Sequence, residues 1–245
     1  MPVVELANNL ADQPGGSEKN LSIGQKIAGV IVSPGETMAH ITARPTFWFP
    51  VLLIALGQFI LLLARFPLYM QTVREEVALA LQQVEGLQLT EAAVEQYVNF
   101  GAYFGLAAAP VSSMISWMVI TLGFFLLLKL FKGEGSFKQY LAVTGYAYII
   151  MGLNILLTLV VSFFTGQLYL DASLAHVSRI IAPDLHGTYL YGIIRGIDLF
   201  TVWYFAVMGI GAAAVSKTSS GKVSLVTAIL FIASVLISAV NYRYL

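Results

Sequence analysis

The chain has 245 residues, of which 58% are hydrophobic and only 11% charged, and its 13 basic and 13 acidic side chains balance to zero. A water-soluble domain carries about 25% charge, so lipid is the second solvent and an ordinary cytosolic enzyme is excluded. The neutral balance offers no electrostatic footprint for nucleic acid, and the absence of cysteine removes disulfides, thiolate metal sites and thiol nucleophiles.

Residues 1–20 are polar, contain Pro14-Gly15-Gly16 and lack an apolar core of the signal-peptide kind, so they are expected to form a disordered cytoplasmic tail. Residues 21–46 predict cytoplasmic interfacial helices. Leu21, Ile27, Val30 and Ile31 fall at helical spacing, which suits a helix lying on the inner membrane surface or packed on the bundle. Ser33-Pro34-Gly35-Glu36 then supplies a cap, a proline at the first helical position and an early acid. That second helix should run from Pro34 to Ala43 and end at Arg44-Pro45.

The remainder, 47–245, reads as a membrane domain, because about 20 apolar residues are needed to cross a hydrocarbon core of roughly 30 Å. Spans are expected at about 47–66, 108–131, 140–164, 191–215 and 223–241. Pro110 marks a kink or a start of the second span. Residues 67–99 predict an outer insert of two short helices, with Val73, Val77, Leu81 and Val84 in one, a break at Gly86, and Thr90-Glu91 opening the other. Residues 165–190 predict an outer loop with an amphipathic piece over 172–181 and a break at Pro183. The fold class is therefore all-α: a five-helix transmembrane bundle with short interfacial and outer-face helices.

Basic residues set orientation. Lys19, Lys26, Arg44, Lys129, Lys132, Lys138, Lys217 and Lys222 share one side, whereas Arg65, Arg74, Arg179 and Arg243 share the other. The N-terminus is expected in the cytoplasm and the C-terminus outside, in the cell (inner) membrane.

Arg195 and Asp198 are the sharpest candidate functional residues, being two charges within the fourth span. A charge at the bilayer centre costs roughly 2.5–3.5 kcal/mol, and spacing of three residues would put both on one helical face. They form either a ligand or proton group with its partner, or a structural pair near the outer end with the arginine reaching to water. Gln58 and Asn154 are single polar residues in apolar spans, expected as inter-helix hydrogen-bond donors that could also line a path. Small residues at Gly101, Gly105, Ala109 and Ser113, and at Gly192 and Gly196, suit close helix packing inside the chain, with a homodimer surface as the second reading. His176, Asp184 and His186, with Asp171, match no zinc spacing, so no metal is expected. No G-x-S-x-G, phosphate-binding glycine loop or H-E-x-x-H occurs, so neither an enzyme nor a cofactor is expected.

Three segments carry a resemblance: S-P-G-E-T-M-A-H-I-T-A-R-P-T-F before the first span, G-E-G-S-F-K-Q-Y-L-A-V-T-G-Y-A-Y leading into the third, and I-D-L-F-T-V-W-Y-F-A-V-M-G-I-G in the fourth. Together they resemble the bacterial branch of the YIP family, the Yip-one domain proteins named for Ypt/Rab-interacting membrane proteins, over roughly residues 30–240. The resemblance implies five spans and a cytoplasmic N-terminus. Its pattern positions here are Pro34, Gly133, Phe137, Tyr146, Asp198, Trp203 and Gly209, none of which it makes catalytic.

Two functions follow from different classes. The first is a non-enzymatic scaffold or adaptor in the bilayer that organises membrane or binds other membrane proteins. The alternative is a small transporter or channel, proton-coupled or passive, dimeric because five spans enclose little volume, with Asp198, Arg195 and Asn154 lining the path.

Overall fold

In the computed structural model, residues 20–82, 90–168, 173, 182–185 and 187–242 are described. The expected tail, the break at Gly86 and most of the outer loop, including Asp171, His176, Arg179 and His186, lie outside them.

The chain opens with α1 (Ile23–Val32) and α2 (Pro34–Ala43). A reciprocal cap starts α1: the Gln25 amide donates to Ser22 Oγ at 3.2 Å, and the Ser22 amide donates to Gln25 Oε1 at 2.9 Å. Pro34 begins α2 as its fixed φ allows, but the Ser33 side chain makes no cap hydrogen bond. The two helices approach so closely that a Cβ on Gly29 would run into Thr37. α1 packs on the bundle. Val30 on α1 and Met38 and Ile41 on α2 are wholly buried in the main core.

α3 (Trp48–Ala64) is followed after Arg65 by α4 (Phe66–Gln82), the pair bent by 89°. With that bend, and with Arg74, Glu75 and Glu76 on α4, α4 runs across the end of the bundle when α3 crosses it. The second expected insert helix is not separate. It is continuous with the second span in α5 (Glu91–Leu130), whose start is capped by Thr90 and which passes through Pro110. Forty residues make about 60 Å of helix, twice a hydrocarbon core. Proline costs one backbone hydrogen bond, and a long apolar helix with neighbours on both sides of the defect tolerates it. The first half of α5 pairs antiparallel with α4: Tyr69 meets Gly105, Val73 meets Gly101, and Arg74 pairs with Glu95 at 2.8 Å.

A tight turn through Gly133 and Gly135 leads to α6 (Phe137–Ala147) and α7 (Ile149–Thr165). A Cβ on Gly133 would sit 2.8 Å from the Leu128 carbonyl oxygen, and Gly135 has a φ of 85°, so both positions need glycine. Ser136 and Gln139 form a second reciprocal cap. α6 and α7 together make one 29-residue candidate span.

The expected fourth span, 191–215, is broken. It consists of α8 (Tyr189–Gly196) and α9 (Leu199–Ser216), followed by α10 (Ser220–Tyr242). Among the described residues, four stretches are long and apolar enough to cross a membrane, or five if α3 and its bent partner count as one.

The helices bring the lysines together. The Glu134 amide donates to the Ser216 carbonyl at 2.8 Å and Glu134 pairs with Lys217 at 3.0 Å, so the α5–α6 and α9–α10 turns meet. α2 packs on the last part of α9, with Met38 Sδ against Gly211. At this lysine-bearing end the core is continuous: Val30, Met38, Ile41, Leu128, Tyr140, Val143 and Ala212 are all fully buried.

Candidate functional site

Asp198 does not lie on a helical face with Arg195. It is the N-cap of α9, its Oδ1 accepting from the Phe200 amide at 2.8 Å and the Thr201 amide at 3.1 Å. Its Oδ2 accepts a hydrogen bond from the Thr201 hydroxyl. The reason is local: a carboxylate competes for backbone N–H groups better at a helix start than inside a helix, and Gly196 just before it weakens helix continuation. Arg195 falls in the last turn of α8, where a cation suits the negative helix end.

Close to this break lies a cavity of about 330 Å³ between α5, α7, α9 and α10. Its wall carries the hydroxyls of Ser112, Ser113, Ser116, Thr201, Ser234 and Ser238, together with Tyr148 and Tyr204. Trp117, Ile120, Met151 and Gly196 complete it, and no charged side chain lines it. At about 1.5 Å per residue, Ser116 and Ser234 both lie roughly 20 Å along their helices from the lysine-bearing end. Between them and that end is the packed core.

The hydroxyls divide into two kinds. Thr121, Thr144 and Thr227 return their protons to carbonyls of the preceding turn at 2.8–2.9 Å, as hydroxyls in apolar helices do. Thr144 also accepts from Trp117 Nε1 at 3.1 Å, which pins the indole as a wall of the cavity. Of the cavity's own hydroxyls, Ser112 donates to the Ala109 carbonyl at 3.1 Å and Thr201 to Asp198, whereas Ser116, Ser234 and Ser238 have no hydrogen-bond partner among the described residues.

The other expected residues are dispersed. Asn154 and Gln58 do not line the cavity. The Asn154 Oδ1 is buried without a partner, and Gln58 makes no side-chain hydrogen bond among the described residues, so the inter-helix bonds expected of them are not seen. The α3–α7 contact that holds them is made by apolar groups, Leu53 on Gly152 and Ile155 on Gly57. The small-residue stripes pack internally, since a Cβ on Gly192 would strike the Ala239 backbone and one on Gly196 would press on Val235. Among the described residues, no three His, Asp or Glu side chains are grouped to hold a metal.

The pattern positions prove structural in their surroundings. Pro34 opens α2 and Gly133 makes the turn described above. Phe137 sets its ring edge-on to Phe125 at 5.4 Å. Tyr146 is fully buried under Phe49 and Lys26, whose ammonium lies 5.3 Å from the ring and donates to Thr46 Oγ1 at 3.1 Å. Trp203 packs against the main core, and Gly209 lines a second, apolar groove of about 460 Å³ between α9 and α10.

Apart from Ser113, which the sequence placed in a packing stripe, the serines of the cavity are the residues that sequence reasoning missed. Their signal was there: Ser112 and Ser116, and Ser234 and Ser238, repeat at four residues within apolar helices, which places each pair on one face.

A family model, the Yip1 domain, matches residues 28–241. The chain belongs to the Yip1 domain family. Membrane protein YknW of Bacillus subtilis is 27% identical over 185 residues, 75% of each chain. An uncharacterized protein of Methanocaldococcus jannaschii, MJ0794, is 27% identical over 74 residues, 30% of this chain and 52% of that one. No solved structure matches. Membership in this family, the membrane-protein relative and the long apolar helices together make this a multi-pass membrane protein.

Proposed function

We propose that this Yip1 domain protein is a non-enzymatic membrane scaffold or adaptor that holds other membrane proteins, seated in the cell (inner) membrane with its lysine-bearing end in the cytoplasm. The observation that carries the reading is the closure of that end. Met38 and Ile41 of α2 and Val30 of α1 are fully buried against the spans, so a single copy offers a solid plug there in place of a path. The same two helices turn a different face outward, with Val32 81% exposed, at the end of the bundle that also carries Lys129, Lys132, Lys217 and Lys222. A cationic surface of this kind suits the anionic inner leaflet and proteins held near it. YknW, by its name a membrane protein, supports the location.

The transporter reading draws on the hydroxyl-lined cavity, but Asp198 is spent as a helix cap and the expected trio of Asp198, Arg195 and Asn154 does not line that space. Liposomes containing the purified protein test the choice, combined with a photo-crosslinker placed at Val32 in cells. The scaffold reading expects solute and proton flux equal to that of protein-free vesicles, and discrete crosslinked species that disappear when Lys132 and Lys138 are both changed to Glu. Flux above background from well-folded protein would reverse it.

A further inference from the structure

The cavity asks for an occupant of definite chemistry. A hydroxyl can donate and accept, and with Ser112 and Thr201 already donating within the protein, Ser116, Ser234 and Ser238 are the ones with no partner among the described residues. A charged guest would find no countercharge in its lining, and burying an unpaired charge is costly. Thr201 adds a direction: because its proton goes to Asp198 Oδ2, its oxygen presents lone pairs, which a guest hydroxyl can donate to. A neighbouring carboxylate strengthens that acceptance and repels anions. Trp117, Tyr148 and Tyr204 contribute aromatic surface to the lining, which suits the C–H side of a ring. The volume of about 330 Å³ is at the small end for ligand sites, fitting one ring or a glycerol unit.

From this we infer that the cavity binds a single uncharged polyhydroxyl group, of sugar-ring or glycerol size, carried by a membrane lipid or free in solution. Ser116 on α5 and Ser234 on α10 hold it, and Thr201 with Asp198 behind it fixes its orientation. The inference does not depend on the scaffold reading, since a site of this kind can anchor a lipid in a scaffold as readily as it can receive a solute.

Trp117 provides a reporter in the wall once Trp48 and Trp203 are changed to Phe. The full chain in phosphatidylcholine nanodiscs is compared with and without monoglucosyl diacylglycerol, and then with free glucose. A saturable change in Trp117 emission is expected, with apparent affinity falling about tenfold in a Ser116→Ala, Ser234→Ala double variant and unchanged in Ser224→Ala, which lies in the separate apolar groove. A response to the glucolipid alone supports the site and assigns it to a lipid headgroup; a response to glucose as well supports it and assigns it to the ring itself. No saturable response to either, or an equal response in the double serine variant, overturns the inference and leaves a cavity that holds water only.

Discussion

At the lysine-bearing end, helices from both ends of the sequence bury Met38, Ile41, Leu128, Tyr140 and Ala212 completely, and Lys26 lies over a tyrosine ring. At the other end of the same helices, a span is interrupted and serines face a cavity. The difference lies in how polar groups are satisfied. Between the lysines and the cavity, Thr121, Thr144 and Trp117 form a closed set of hydrogen bonds within the protein, and well-satisfied networks rigidify a core. Around the cavity the exposed Ser116 and the half-buried Ser234 and Ser238 have no such partners among the described residues, which leaves their hydroxyls available to a guest. One end is built for rigidity and the other for occupancy.

Substitutions can sharpen that contrast. The largest effect is expected from Met38→Ala, which empties a fully buried site and should cost about 3 kcal/mol. Thermal unfolding in detergent measures this, with the exposed Val32→Ala as the control near zero. Gly192→Val should cost about 2 kcal/mol by forcing α8 off the Ala239 backbone. If it unfolds no more easily than wild type, the break does not rest on that contact.

Smaller effects separate cap from charge. Asp198→Ala should cost about 1 kcal/mol through loss of the α9 cap, while Asp198→Asn, itself a good cap, should cost less than half of that. Equal losses in the two would mean the charge itself is needed. Smallest of all, Ser116→Ala and Ser234→Ala should change stability by less than about 0.5 kcal/mol. A cost near that of Met38→Ala would show that those hydroxyls are part of the packing.

Much of this was written in the sequence. The helix over Pro34–Ala43 was legible to the residue because proline and the Arg44-Pro45 step punctuate both ends. The apolar spans stood out for length, and the lysines for their shared end. The Asp198 break was not legible, because a run as apolar as that around residues 191–215 reads as one span, and cap geometry depends on which N–H groups the carboxylate reaches. Of the two readings of Pro110, a start of the span is removed, because α5 continues through it. The cavity could not be found from sequence because its walls come from α5, α7 and the α9–α10 pair, three parts distant from one another in the chain. Only the four-residue serine repeats hinted at its surfaces.

The chain has no cysteine, so single cysteines report cleanly on which side water reaches. The most direct measurement is labelling of Ser116→Cys and Val32→Cys, each alone, with a bulky membrane-impermeant maleimide applied to one face of oriented vesicles at a time. A closed lysine-bearing end predicts that the face which labels Val32→Cys never labels Ser116→Cys. Labelling of both from that face would reveal a water path through Met38 and Ile41, and would contradict the account.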